Sequence, residues 1–219
     1  MTSSIVELIN VSTGFGGPPL LRGLSLAVSA GELIVIEGAT GSGKTTLVRL
    51  LLGAQPVQTG LARVLGIDLA RAGKSVTTNL RRSVGVIFQH PRFLDQESVL
   101  MNVAVPLAIR GTAGEKLRGL GTRALMDAGL SANARKRPAQ LSGGEQARLQ
   151  IARALVHRPQ LVLADEPFAH LDPESAEAAE SLLRTAHERG TTVILTTHRP
   201  TSLTERARRM RLEDGVLHA

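Results

Sequence analysis

The feature that most constrains the fold is a short apolar run, Leu33-Ile34-Val35-Ile36, followed by Gly38-Ala39-Thr40-Gly41-Ser42-Gly43-Lys44-Thr45-Thr46 and then by Leu47, Leu50 and Leu51 at helical spacing. The order is buried strand, glycine-rich turn, helix, the local unit of a P-loop. Glycines at 38, 41 and 43 open backbone conformations closed to residues with a side chain, so that successive N–H groups can converge on one anion. A helix starting near Lys44 adds the positive end of its dipole. On this reading Thr40, Ser42 and the three glycines line a phosphate cradle. Lys44 reaches the β- and γ-phosphates, and the Thr45 hydroxyl is placed to ligand Mg²⁺. Thr46 reads as structural, although it closes the nucleotide-binding run.

Composition limits what surrounds this loop. A chain of 219 residues lies between one large domain and two small ones, long enough to bury roughly 70% of its unfolded surface. It has no cysteine, which excludes thiolate catalysis and cysteine metal sites and fits a reducing compartment. Met1 to Glu7 lack the charged start and apolar stretch of a signal peptide, so a cytoplasmic location is expected. The longest nearly uncharged apolar run, Val99 to Ile109, is too short to span a bilayer and contains Asn102 and Pro106, so any membrane role needs a partner. The net charge of +7, from 26 basic and 19 acidic residues, raises the question of nucleic acid. The basic residues are spread along the chain, with four phenylalanines and no tyrosine or tryptophan to stack bases, which favours a solvated surface over a stable nucleic-acid partner.

Along the chain, Ile5 to Asn10 alternates as a strand, with Val6, Leu8 and Asn10 on one face. A turn from Gly14 to Pro19 leads to a second alternating strand, Leu24 to Val28, so an antiparallel sheet precedes the P-loop. Phe15 in that turn either stacks on a nucleotide base or tucks under the sheet. Beyond the P-loop helix, Arg63 to Leu65 is a short strand and a polar connection leads to Val84-Gly85-Val86-Ile87-Phe88, a fully buried run. This run ends in Gln89, at the carboxyl end of what reads as a central strand, where ligands of α/β sheets gather; from pattern alone, capping of the strand end is the favoured explanation of Gln89. Residues 98 to 129 are helical, with Val99, Val103 and Leu107 on one face, then Leu117, Leu120, Leu125 and Met126, and Pro106 kinking or breaking the first helix.

Three further clusters carry chemistry. Leu141-Ser142-Gly143-Gly144-Glu145-Gln146 opens a helix through a capping box between Ser142 and Glu145. The cap leaves the two glycines unexplained, and a second phosphate-binding surface is the functional reading. Leu161-Val162-Leu163-Ala164-Asp165-Glu166 is an apolar strand ending in two carboxylates, costly unless a cation or proton relay uses them. Asp165 reads as binding Mg²⁺ directly or through its waters, and Glu166 as positioning or deprotonating a water. A last buried strand, Thr192 to Thr196, delivers His198, placed for a hydrogen bond to a γ-phosphate. Met210 to Leu212 and Val216-Leu217 read as closing strands joined by an Asp214-Gly215 hairpin turn.

Together these residues resemble the ATP-binding-cassette (ABC) ATPases over nearly the whole chain. Gly38 to Thr45 is similar to the Walker A motif, Gln89 to the Q-loop glutamine and Leu141 to Gln146 to the LSGGQ-type signature. Leu161 to Glu166 is similar to Walker B, Asp172 to the D-loop aspartate and His198 to the switch histidine. The resemblance implies an α/β fold: a P-loop NTPase cassette with an antiparallel β subdomain and a helical signature subdomain. It spans residues 1–219, with 1–88 and 159–219 as the core and about 89–158 as the helical part. It implies ATP and Mg²⁺ as cofactors, Thr45, Gln89 and Asp165 as metal ligands, and Lys44, Gln89, Glu166 and His198 as catalytic groups. It makes Phe15 the base-stacking residue. It also implies a homodimer on ATP binding, in which Ser142, Gly143, Gly144 and Glu145 of one subunit cap the nucleotide held by Lys44 of the other.

Within the family, Leu80 to Gln89 with Asn102 to Leu107 resembles most the cell-division ATPases, which act on a membrane partner at the cytoplasmic face of the cell membrane. Lipoprotein-releasing and macrolide-export types are near alternatives, and a nucleic-acid-associated ABC ATPase is a distant one. Three residues depart from the family pattern. His170 stands where asparagine is usual, Arg199 where aspartate is common after the switch histidine, and Ala147 where glutamine is frequent after the signature.

Overall fold

A computed structural model describes residues 4–218; Met1 to Ser3, part of the signal-peptide reading, and Ala219 lie outside the described residues. The alternation near the start builds β1 (Ser4–Thr13), paired antiparallel with β2 (Leu21–Ser29). Val6 and Leu8 point inward, but Asn10 does not. It adopts φ of 50°, the register slips between Leu8 and Val11, and Val11 takes the buried place. Asparagine tolerates this left-handed backbone better than most residues, so the bulge corrects the uniform alternation expected for this strand.

The P-loop strand is β3 (Leu33–Glu37) and its helix α1 (Lys44–Leu51). The short β4 (Thr59–Val64) pairs antiparallel with the other edge of β1, and β5 (Ile67–Asp68) completes a four-stranded sheet. The polar connection beyond it holds an unexpected helix, α2 (Lys74–Ser83). Only Thr77 and Leu80 of α2 are buried, so it has too narrow an apolar stripe to stand out in the sequence.

Next come β6 (Gly85–Ile87), α3 (Val99–Ile109), α4 (Gly114–Asp127), α5 (Gly143–Leu155), β7 (Leu161–Asp165), α6 (Pro173–Glu188), β8 (Thr192–Thr197), β9 (Arg208–Glu213) and β10 (Val216–His218). The second sheet has the order β10-β9-β3-β8-β7-β6. Its strands are parallel except β10, which closes the predicted Asp214-Gly215 hairpin. The strand before Gln89 is therefore an edge strand rather than a central one. Its sequence is as apolar as a central strand because α5 covers it.

Helix α3 runs unbroken through Pro106. Val99, Val103, Leu107, Leu117 and Leu125 are buried as expected, whereas Leu120 and Met126 are exposed. Two faces of α5 serve two cores. Ile151 and Ala154 pack with the β-sheet strands and α6, while Leu149 and Ala152 pack with α3 and the end of α4. The signature helix is thus the beam shared by the sheet and the helical region.

The C-terminal basic cluster is balanced by acids. Arg206, Arg208, Arg209 and Arg211 approach Glu188, Glu32, Glu37 and Glu213 at 3.3, 2.8, 3.1 and 2.7 Å. Such exposed pairs add little stability, but they blunt the positive field that a phosphate backbone would need. Among the described residues no helix is long and apolar enough to cross a membrane.

Candidate active site

Strand register gathers the reactive groups. Glu37 lies opposite Thr197, and Asp165 opposite Thr196, so the carboxyl ends of β3, β8 and β7 stand side by side. From there the chain turns into the P-loop, into His198 and into Glu166, as expected at the carboxyl edge of a parallel sheet. The Gly38 N–H donates to the Thr197 carbonyl at 3.2 Å and ties the start of the loop to β8. Gly41 and Gly43 have φ of 87° and 104°, the left-handed region that glycine supplies without steric cost.

Gly43 offers no side-chain cap to α1, so the first-turn N–H groups of this helix remain available to an anion. Ser42 Oγ is buried and has no hydrogen-bond partner among the described residues. A buried hydroxyl without a partner is costly, and a phosphate oxygen in the cradle is the chemistry that satisfies it. Thr40 is exposed on the outer side of the loop, and Thr46 is buried beneath it. Outside the loop lies an open cleft of about 1720 Å³ lined by Gly38 to Ser42, His198 and Arg199 and by the hairpin residues Arg209 to Gly215, with Lys44, Asp165 and Glu166 outside its lining.

Two hydrogen-bonded chains cross the site. In one, Thr45 Oγ1 donates to Asp165 Oδ2 at 2.7 Å and Thr196 Oγ1 donates to Asp165 Oδ1 at 2.8 Å. In the other, Lys44 Nζ lies 3.2 Å from Glu166 Oε1, while Glu166 Oε2 accepts from the His198 N–H at 3.2 Å and sits 2.8 Å from His198 Nδ1. Lys44 Nζ also donates to the carbonyls of Gly38 and Ala39 at 2.7 and 2.8 Å. Lys44, Asp165 and Glu166 are all at least nine-tenths buried. Two carboxylates against one ammonium leave an excess of negative charge that a divalent cation would neutralise. Among the described residues no group of three or more His, Asp or Glu side chains is arranged to hold a metal ion by itself. The donor set of Thr45 and Asp165 therefore suits Mg²⁺, which keeps several waters and shares phosphate oxygens.

Glu166 adopts φ of 49°, a left-handed backbone that costs a non-glycine residue about 1 kcal/mol. Its N–H continues the β7–β8 ladder by donating to Thr196 O at 3.0 Å. No helix starts behind this acidic pair, since α6 begins at Pro173 with Asp172 as its cap. Hydrogen bonds from Ser175 hold the Asp172 carboxyl below its ordinary range. Gln89 is half-buried two residues past the end of β6. The β6–β7 ladder ends at the Ile87–Ala164 pair, before Gln89 is reached. Phe15 is 68% exposed, not tucked under the sheet. Its loop is held by the buried Gln55, whose Nε2 donates to the Gly14 carbonyl at 2.5 Å.

The signature turn is built differently. Ser142 caps α5, its Oγ accepting from the Glu145 N–H at 3.3 Å while Glu145 Oε2 accepts from the Ser142 N–H at 2.8 Å. The other carboxylate oxygen of Glu145 accepts from Asn133 Nδ2 at 2.6 Å. The Ser142 amide first and Asn133 second hold the Glu145 carboxyl below its usual range. Gly144 has a structural cause that the sequence hid, because a Cβ there would collide with Ser175 on the first turn of α6. Gly143 faces open space. Ser142 and Gly143 are exposed, and among the described residues no hydrogen bond or ion pair joins residues 141–146 to the P-loop.

Of the three departures, His170 has φ of 68° and stacks against His90 with ring centroids 6.3 Å apart. Ala147 is buried. The backbone of Arg199 exchanges hydrogen bonds with the Thr197 hydroxyl at 3.0 Å. Sequence reasoning misses Thr196, although a hydroxyl in an otherwise aliphatic buried strand is a signal that could reveal it.

A glycine cradle with a buried lysine, beside two strand-end carboxylates, defines a nucleoside-triphosphate-hydrolysing P-loop domain. A family profile described as "ABC transporter" matches residues 21–169, more than half of the chain. The chain belongs to that family and is an ATPase of the ATP-binding-cassette type. It is 44% identical over 184 residues to the methionine import ATP-binding protein MetN of Caulobacter vibrioides, covering 84% of this chain and 55% of that protein. The chain thus spans about half the length of the methionine-import relatives it matches. It is 38% identical over 216 residues to the cell division ATP-binding protein FtsE of Escherichia coli, covering 98% of this chain and 97% of that protein. The dimeric post-hydrolysis state of the ATP-binding cassette MJ0796 bound to ADP and Pi matches it with a TM-score of 0.88 at 31% identity, covering 98% of this chain and 97% of that one.

Proposed function

We propose that this chain is the ATP-hydrolysing subunit of a membrane complex, that it dimerises on ATP, and that the dimer's closing and opening drives a conformational change in a transmembrane partner. The observation that carries the reading is the joined pair of chains Lys44–Glu166–His198 and Thr45–Asp165–Thr196. Lys44 is held by three oxygens of its own subunit. The β- and γ-phosphates offer more negative charge in the same place, so the lysine exchanges partners and releases one arm of Glu166. That carboxylate then orients a water and takes its proton. His198, bonded to Glu166 through Nδ1, turns its other ring nitrogen toward the γ-phosphate.

Thr45, Asp165 and Gln89 would hold Mg²⁺, which when bound neutralises charge on the phosphates. Ser142, Gly143, Gly144 and Glu145 of a second subunit complete the site, and Phe15 stacks on the base. The intramolecular bonds of Glu145 suit it to hold the turn in shape, leaving the exposed Ser142 and Gly143 to meet the phosphate. We assign the domain as one cassette over residues 1–219, with about 89–158 as its helical subdomain.

The reading of the complex is an FtsE-like ATPase at the cytoplasmic face of the cell membrane, paired with an FtsX-like permease and regulating cell-wall hydrolysis. It is supported by the resemblance of residues 80–89 and 102–107 and by the whole-chain similarity to FtsE. The higher identity to MetN favours a second reading, a solute importer's ATPase. Capture of the intact complex from membranes separates them: a small permease with a large extracytoplasmic loop fits the first, and a permease with a solute-binding protein fits the second.

The chemistry is tested by Glu166→Gln. ATP binding should persist and the protein should accumulate as a dimer on ATP, with turnover reduced on the order of 100-fold or more. Hydrolysis at the unmodified rate would remove Glu166 from the general-base role.

A further inference from the structure

Helix α5 grips the segment that carries Gln89 through a side chain that neither the nucleotide centre nor the signature turn requires. Gln150 is 1% exposed on the face of α5 turned to β6. Its Oε1 accepts from the Phe88 N–H at 3.1 Å and its Nε2 donates to the Phe88 carbonyl at 2.9 Å. A primary amide offers both donor and acceptor, and here it stands in for a peptide unit of a neighbouring strand. The β6–β7 ladder is registered at Gly85, Val86 and Ile87. Gln150 takes over at the next residue, so the sheet edge ends on a side chain of the signature helix.

Two other contacts show that the approach is built in. Gly85 lets α5 come close, since a Cβ there would stand 2.6 Å from the Ala154 carbonyl. Arg153 donates to the Arg92 carbonyl at 2.7 Å and lies 5.0 Å from the centre of the Phe93 ring. The strap from Phe88 to Phe93 is therefore fastened to α5 at both ends, with Gln89 directly after the first fastening.

We propose that Gln150 is a positioning residue for Gln89: it locks the Phe88 peptide to the signature helix, so that engagement of Ser142 by a second subunit sets where the Gln89 side chain points. Ser142 lies eight residues from Gln150, about 12 Å along a rigid helix, and Gln89 lies one Cα step, about 3.8 Å, beyond the clamp. The proposal rests on the assignment of Gln89 to the Mg²⁺ side of the active site. Glutamine is also what a purely packed position would avoid, because a buried amide without partners is costly and an aliphatic chain would fill the space.

The test uses the full chain and compares Gln150→Met, which keeps the volume and loses both bonds, with Gln89→Ala and the double variant. The first readout is amide hydrogen exchange at Phe88 and Gln89 without nucleotide, which should accelerate at least about 10-fold in Gln150→Met. The second is nucleotide affinity. ATP binding without metal should stay within about 2-fold, while the Mg²⁺ concentration for half-maximal ATP-dependent dimerisation should rise roughly 5-fold. The double variant should be no worse than Gln89→Ala alone.

If Gln150→Met does not fold, Gln150→Glu keeps the shape and the acceptor but turns a carboxylate oxygen against the Phe88 carbonyl, and the same shifts are expected. Unchanged exchange at Phe88 overturns the clamp. Faster exchange with an unchanged Mg²⁺ requirement, or additive losses in the double variant, makes Gln150 structural only. Wild-type Mg²⁺ dependence in Gln89→Ala overturns the Gln89 assignment itself, and the exchange data still report the clamp separately.

Discussion

The P-loop centre and the signature turn are both polar clusters at a helix N-terminus, yet they are finished to different degrees. In the first, three strand ends converge on buried groups, and Lys44, Asp165 and Glu166 each bond to residues far away in sequence. In the second, Ser142 and Glu145 bond to each other and to Asn133 twelve residues away, while Gly143 meets nothing. Buried charges must be paired within the fold, and Lys44, Asp165 and Glu166 are, which leaves Ser42 Oγ as the buried group there without a partner among the described residues. An exposed turn with satisfied local bonds costs nothing to leave open, so it can wait for a partner surface. The difference is what an enzyme needs if half of its site is to arrive with a second molecule.

The sharpest way to break this comparison is Ser142→Arg. If the turn works only in another subunit's site, ATP affinity in the monomer stays within about 3-fold while hydrolysis falls on the order of 100-fold. The lost cap adds about 1 kcal/mol of destabilisation, which a denaturation curve subtracts. Weak ATP binding by the monomer would place Ser142 in its own subunit's site and end the contrast.

A smaller effect probes the finished side. Thr196→Val is nearly isosteric in a fully buried strand but strands Asp165 Oδ1, whose side-chain partner is lost. Leaving that carboxylate short of a donor should cost about 1–3 kcal/mol in urea unfolding. The same loss of one hydroxyl at the open turn, Ser142→Ala, should cost about 1 kcal/mol. Equal penalties would show that the buried network is no more demanding than the exposed one.

Much of the finished centre is legible in the sequence because fully buried strands read as uninterrupted apolar runs, and the residues just past each run land at one edge of the sheet. Leu33 to Ile36, Leu161 to Ala164 and Thr192 to Thr196 carry Lys44, Asp165, Glu166 and His198 there without any knowledge of strand order. Strand order itself is not legible, and so the strand before Gln89 reads as central. Helix α2 is hidden because only two of its residues are buried. The requirement for Gly144 lies in Ser175, on another helix, and no local pattern announces such a contact. Gln150 is hidden for the opposite reason: one polar residue in an apolar stripe looks like noise until its partner is known.

The smallest expected effect concerns the far end of the signature helix. His157, just past α5, has both ring nitrogens buried without a hydrogen-bond partner among the described residues. Burial, with the nearby Arg110 as a second cause, pushes its pKa down from 6.5 to about 4. The folded protein therefore binds this proton less readily than the unfolded chain. Its contribution to stability is complete above about pH 6.5 and declines as the pH falls toward 4. Discounted for a ring that is partly open to solvent, the loss is on the order of 1 kcal/mol. Glu145, whose carboxyl is held below 4.5, adds its own loss only at lower pH. Acid should thus weaken the two ends of α5 in sequence, His157 first. Urea unfolding of the wild type and His157→Leu between pH 7 and 4 measures it, and the variant should lose the early part of the slope. Parallel slopes in the two proteins would mean that His157 does not titrate with folding.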